Sequence, residues 1–303
     1  MTRTYRRTLF LISSILFFIA AMIIVLFSLG YRLSKDGGIV KTGGLFIASV
    51  PSTEVQIFVN NKFVKKTALI SRSIFMQSLT PATYNIRIER EGFHTWEKNI
   101  VVEPERVSEV RALMVKDPVD GKILSRGNFI SIEAESEKIL KVVTEKKETR
   151  FFDTEKEEFL STIPEKSQPA PETLPSTAQA VLLRENPDGY DIDAEKEKIL
   201  WWDGRTILVE WLNPQTLPFY TKESTIKIID SNQPIREAVF YPRRDAVIAT
   251  YENAVMIIEL DGRGGHVITP VYKGKKPNIA LLNPKERILY ILDDGNIIRA
   301  ELL

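Results

Sequence analysis

The segment Leu9–Leu29, LFLISSILFFIAAMIIVLFSL, lies between Arg7 and Arg32 without a single charge, and that run limits what the whole chain can be. The about 24 uncharged residues from Thr8 to Tyr31 would make a helix of roughly 36 Å, enough to cross a hydrocarbon core of ~30 Å with some tilt. Inside lipid every backbone polar group must be paired within the segment, and a lone span manages this only as a helix. The sequence therefore predicts a transmembrane anchor over residues 1–31, in contact with the lipid bilayer through Leu9 to Leu29. Arg3, Arg6 and Arg7 precede the span and Arg32 and Lys35 follow it, which predicts a single-pass protein of the cell membrane, its N-terminus cytoplasmic and its bulk extracytoplasmic. The competing expectation is a cleaved signal peptide. Its apolar region is typically ~7–15 residues before a small-residue site, a poor match to Phe27-Ser28-Leu29-Gly30-Tyr31.

Charge is unevenly spread. Residues 1–31 carry a net +3, residues 32–115 +4 and residues 116–303 −6. No segment has the basic density that nucleic-acid binding needs, so no nucleic-acid partner is expected. The chain contains no cysteine, which excludes disulfides, thiolate metal sites and lipid attachment through a thiol.

After the span, residues 32–43 hold mixed charge and several glycines and read as a short flexible tether. Strand patterns follow. Val55, Ile57 and Val59 alternate with polar and aromatic neighbours before Asn60-Asn61, a pair that tolerates positive φ and suits a tight hairpin turn. Tyr84, Ile86 and Ile88 alternate before Arg90-Glu91-Gly92, and Trp96, Ile100 and Val102 share one parity. Several short strands at this spacing predict a small antiparallel β-sandwich over residues 44–115.

The segments Leu45-Phe-Ile-Ala-Ser-Val-Pro51, Val55–Val64, Thr67-Ala68, Leu79-Thr-Pro-Ala-Thr-Tyr84, Glu91-Gly92-Phe93 and Trp96 resemble, in order and spacing, the PEGA domain. The resemblance runs from Gly44 to about Leu113. It implies a small β domain of bacterial and archaeal envelope proteins, often beside a membrane span, with no catalytic role and no site residues to carry over. Asn61, Ala68 and Ala82 stand where that family usually has glycine, proline and glycine.

Residues 116–303 contain a weak repeat. Aligning Ile139, Ile199, Val247 and Ile288 gives intervals of 60, 48 and 41 residues. A propeller blade takes ~40–45 residues, so the last two intervals fit and the first is too long by a loop. The proline-rich stretch at 164–178 supplies that loop, read as an exposed insertion. Asp261-Gly262 and Asp294-Gly295 are hairpin signals. With Tyr241–Asp245 and Asn283–Glu286 in the turn positions, the repeat from Gly121 to Leu303 resembles TolB- and WD-type propeller repeats. Four units predict a small or incomplete β-propeller-like domain, with an ordinary β-sandwich as the other arrangement. The last unit offers only three strands, near Ile279–Leu282, Ile288–Leu292 and Ile297–Leu302. Gly121–Ser125 is the free strand placed to complete it, by pairing near Ile298 or Ala300. The expected fold class is thus an all-β ectodomain behind one N-terminal transmembrane α-helix.

The inventory for chemistry is thin. His94 and His266 lie in different domains and read as packed or turn residues. Asp191, Asp193 and Glu195 have the opening rhythm of a calcium loop, yet Lys196 and Trp202 occupy the positions that need glycine and glutamate. Trp201, Trp202 and Trp211 could form a sugar-stacking platform, although strand tryptophans are more often core. No catalytic, cofactor-binding or metal residues are expected. The sequence predicts a non-catalytic envelope protein whose PEGA-like spacer presents a propeller-like domain to an envelope protein or a cell-wall polysaccharide. The alternative is a membrane-tethered hydrolase with its site at the propeller mouth, which several Asp, Glu or His side chains meeting in one pocket would favour.

Overall fold

In the computed structural model Arg3–Ser28 forms one α-helix. Its segment Tyr5–Ser28 is long and apolar enough to cross a membrane, and none of its most apolar window is covered by the rest of the chain. The structure describes residues 3–34, 37–68, 72–161, 174–280 and 287–303. These divide into two compact units, one of residues up to Arg87 with Asn99–Ala112, the other of Ile88–Lys98 with Leu113–Leu303.

In the first unit the helix leads directly into a hairpin. Tyr31–Leu33 pairs antiparallel with Ile39–Lys41, placing Leu33 opposite Ile39. The Gly30 carbonyl accepts from both the amide and the hydroxyl of Thr42, each at 2.9 Å. The stretch read as a flexible tether is therefore a paired ladder tied back to the helix end, because the alternating Tyr31, Leu33 and Ile39, Lys41 meet in register.

Gly43–Val50 lies between Ser73–Leu79 and Val107–Leu113 in a three-stranded sheet. Gln56–Val59 pairs with Lys62–Lys66 and belongs to a four-stranded sheet completed by Ala82–Glu89 and Trp96–Val102. Val59 opposes Lys62 across Asn60 and Asn61, both at positive φ, so the two-residue turn expected there is present. Burial follows the alternation of the sequence. Leu45, Ile47, Val55, Ile57, Ile86 and Ile100 are fully buried, while their neighbours along each strand face outward.

The second unit contains, among the described residues, four four-stranded antiparallel sheets resembling propeller blades. The first holds Phe129–Ala134, Ile139–Thr144, Thr149–Asp153 and Glu158–Phe159 in sequential order. The second holds Gly189–Ile192, Lys198–Asp203, Thr206–Trp211 and Thr225–Asp230. Ile235–Phe240, Ala246–Tyr251, Ala254–Glu259 and Ile268–Lys273 make the third. The fourth borrows a strand: Asn278–Ala280, Ile288–Asp293 and Asn296–Glu301 are completed at the outer edge by Asp120–Arg126. Ile123 pairs with Ile298 and Gly121 with Ala300, the closure expected from the missing strand.

Two cores hold these sheets face to face. Leu200, Trp202, Ile207, Val209 and Trp211 of the second sheet pack on Phe240, Val247, Ala249, Tyr251 and Ile258 of the third. Phe129, Ile132, Leu140 and Phe152 of the first pack with Tyr290, Leu292 and Ile297 of the fourth.

Two details depart from expectation, and two expected features are not fully described. Most of the proline-rich insertion, residues 162–173, lies outside the described residues, as do 281–286 with the Asn283–Glu286 turn. The end of the insertion is not loop. Ser176 opens a helix, Ser176–Glu185, whose Ala178 and Val181 are buried against Ile199 and Trp201. A helix of ten residues with so small an apolar stripe gives little periodic signal in sequence, and the packing supplies its stability. Finally, Asp294-Gly295 makes a two-residue hairpin with both φ positive, but Asp261-Gly262 opens a wider loop between Glu259 and Ile268. The left-handed residues of that loop are Gly264 and Gly265.

Candidate functional site: the recess along the inner strands

The leading strand of each repeat, Phe129–Ala134, Gly189–Ile192, Ile235–Phe240 and Asn278–Ala280, contributes to one cavity of about 830 Å³. A second recess of about 800 Å³ shares Ile132, Glu133 and Glu237 with it, so these three residues form the collar where the two meet.

Hydrogen bonds run from strand to strand around this axis. The Phe240 amide donates to Asp191 Oδ2 at 2.7 Å, joining the third sheet to the second. Arg236 donates through Nη1 to the Pro277 carbonyl and through Nη2 to Asn278 Oδ1, both at 2.8 Å, joining the third to the fourth. Asn278 Nδ2 reaches the Ile130 carbonyl of the first sheet at 3.4 Å. Lys198 Nζ sits 3.8 Å from Asp193 Oδ2 and 3.6 Å from Asp245 Oδ1, a further link between the second and third sheets.

The lining is acidic. Glu133, Asp191, Asp193, Glu195, Glu197, Glu237 and Asp245 face Lys198, Arg243 and Arg244. Burial pushes the Asp191 carboxyl above the ordinary carboxylate range, against the pull of the Phe240 and Ile192 amides. Burial likewise raises Glu237, opposed by the charge of Arg236 and helped by that of Asp191. The Glu237 carboxylate, like those of Glu195 and Glu197, has no hydrogen-bond partner among the described residues, and of these three it is the one that burial raises.

The residues singled out in sequence find other roles. Asp193 Oδ1 accepts from the Glu197 and Lys198 amides at 2.8 and 2.7 Å, so the calcium-like rhythm is the signature of a side-chain-capped turn. An equivalent turn recurs in the next repeat, where the Tyr241 amide donates to the Ala246 carbonyl and Arg244 to that of Tyr241. Trp201, Trp202 and Trp211 are all buried and make no platform; Trp201 faces the Ser176–Glu185 helix and Trp202 the third sheet. His94 Nδ1 lies 3.3 Å from Asp117 Oδ2 near the surface. His266 Nδ1 is 2.8 Å from the Glu259 carbonyl inside the 260–267 loop.

Sequence reasoning missed Asp191 and Glu237 as partners in one recess. The alignment of repeats held little of that signal, because the place equivalent to Asp191 in the next repeat is the apolar Val239, two residues after Glu237.

No protein-family model matches the chain, and no curated protein matches it in sequence. Among solved structures it is similar to the WD40 repeats of RRP9, at 11% identity and a TM-score of 0.27, with 57% of this chain and 48% of that chain covered. The chain thus spans about half the length of that structure. It is also similar to the β-propeller domain of Cps50 (Swd1) from Myceliophteria thermophila, at 11% identity, a TM-score of 0.26, and 57% and 54% coverage. A third likeness is to KlAtg21 in complex with the coiled-coil of AgAtg16, at 12% identity, a TM-score of 0.28, and 90% and 86% coverage. At such TM-scores the likenesses carry no argument, and the blade-like architecture rests on the strand pairings described above.

Proposed function

We propose that the protein is a non-catalytic, membrane-anchored envelope protein of bacteria. Its N-terminal helix anchors it with the N-terminus cytoplasmic, the PEGA-like β domain of residues 44–115 is a spacer, and the propeller-like domain of residues 116–303 binds a protein or a cell-wall polymer. The observation that supports binding over chemistry is the use made of the recess. Asp191, Arg236 and Asn278 are consumed in joining neighbouring sheets and Asp193 in capping its turn, leaving an acidic basin. Catalysis needs a reactive group within reach of a second group that activates it. A photo-crosslinking residue placed at Arg243, on the cavity rim, should capture a discrete partner in intact membranes. Capture should be competed by excess unlabelled protein.

The hydrolase reading is favoured by one feature, the unbonded Glu237 carboxyl, raised by burial in a cavity rich in carboxylates. Turnover of glycoside or ester probes that is abolished by Glu237→Gln, without capture at Arg243, would replace binding by hydrolysis.

A further inference from the structure

The hairpin after the helix and one sheet face in the first unit each leave apolar side chains open to solvent. Leu33 and Ile39 are cross-strand partners on one side of the hairpin and are 74% and 63% exposed. Phe75 and Val107 are 50% and 55% exposed and line a shallow recess with Thr42, Gly44 and Ser78. Both approach Gly44, where a side-chain carbon would meet the Phe75 ring at 3.1 Å and Val107 Cγ2 at 3.3 Å.

This surface begins where the apolar helix stops. Thr42 is bonded to the Gly30 carbonyl, and Gly44 lies about 7 Å further along an extended strand. The Arg32 guanidinium turns back along the helix, donating to the Phe27 and Tyr31 carbonyls at 2.8 Å and stacking on the Phe27 ring, with Nη2 3.4 Å from Ser78 Oγ. A helix whose last apolar turn ends at the edge of the hydrocarbon thus holds Leu33, Ile39, Phe75 and Val107 at headgroup depth.

We propose that these four side chains form a second membrane contact, inserting into the headgroup–acyl boundary of the bilayer that the helix crosses. The inference rests on the helix being a retained anchor. Its occupant is the lipid surface, because the surface continues from the span; Lys41 pairs with Glu105 and Arg106 with Glu103, while Arg32 is turned back onto backbone carbonyls of the helix end. The four inserted side chains are apolar, so anionic lipid should change the contact little.

The chain lacks cysteine, so single-cysteine variants of the full protein carry one probe each. An environment-sensitive dye at Ile24→Cys, Leu33→Cys or Phe75→Cys would be measured in phosphatidylcholine vesicles containing lipids spin-labelled at shallow or deep positions. The dye at Ile24 should be quenched by deep labels. Those at Leu33 and Phe75 should be blue-shifted and quenched by shallow labels, unchanged by added phosphatidylglycerol. In a Leu33→Asp, Ile39→Asp background the Phe75 dye should return to the emission of a water-exposed probe. Deep quenching at Ile24 with water-like emission at Leu33 and Phe75 overturns the second contact while leaving the anchor standing. Absence of quenching at Ile24 overturns the anchor, and the second contact with it.

Discussion

Trp96 Nε1 donates to Glu259 Oε1 at 2.9 Å, and Glu259 is 5% exposed. The same oxygen accepts from the Leu113 amide at 2.8 Å, while Lys98 Nζ lies 3.6 Å from Oε2 and donates to the Asp261 carbonyl. A buried carboxylate deprived of a donor keeps its desolvation cost, so Trp96→Phe should destabilise the second unit by about 1–3 kcal/mol. Denaturant titration followed by the remaining tryptophans measures this, and a midpoint equal to that of the parent protein would refute the role given to the indole N–H.

Burial raises the carboxyls of Asp191, Glu237 and Glu259 above their ordinary values. Each then holds its proton more tightly folded than unfolded. Their contribution to stability is full below the unfolded-state value and is lost as pH rises through the folded-state value. The melting temperature of the second unit should therefore rise on acidification from pH 7 toward about 5, a range above the ordinary carboxylate values. Glu237→Gln should raise the melting temperature at pH 7 and flatten the profile; a variant that melts earlier at pH 7 contradicts the assignment.

Removing Ile297–Leu303 takes away Ile297, Ile298, Leu302 and Leu303, all buried, together with Ala300 and the partner of Asp120–Arg126. Fully buried aliphatic side chains contribute about 1.5–3 kcal/mol each. Their sum approaches the whole stability of ~5–15 kcal/mol typical of a domain. The truncated protein should lose the cooperative transition of the second unit in calorimetry, and a retained transition would show that closure is dispensable.

Val181→Ala removes two methyl groups from the contact with Ile199 and Trp201, a loss of about 1–2 kcal/mol at ~0.8 kcal/mol per methyl-sized group. Leu183→Ala, on the exposed side of the same helix, should be near neutral. Equal effects from the two would mean that the helix does not dock as described.

Gly295→Ala should be among the most damaging single-carbon additions in the chain. Gly295 has φ +73°, and an added Cβ would lie 2.0 Å from the Gly127 carbonyl oxygen. Loss of soluble expression or a sharply lowered melting temperature is expected, and wild-type behaviour would exclude this turn.

What the sequence made legible was what repeats or alternates. The charge-free helix, the two-residue turns at Asn60-Asn61 and Asp294-Gly295, and the pairing of Gly121–Ser125 with the last strand all follow from local pattern or from counting strands. The Ser176–Glu185 helix did not, because only Ala178 and Val181 are buried and the prolines before it mask its start. The hairpin at 31–41 was hidden by its glycines, which read as flexibility although pairing fixes them. The recess was least legible of all. Glu133, Asp191 and Glu237 are ordinary strand-edge acids in sequence, and only the stacking of sheets brings them to one axis.

The fourth sheet also sets a clock on biosynthesis. Its outer strand, Asp120–Arg126, is made long before its partner, Asn296–Glu301. About 170 residues separate them, roughly 10–30 s of chain elongation at ~5–20 residues per second. Throughout that interval Ile123 and Leu124 belong to a strand with nothing to pair with, and the first sheet lacks the apolar face of Tyr290, Leu292 and Ile297. Any stall in elongation after Arg126 lengthens that unpaired interval in proportion.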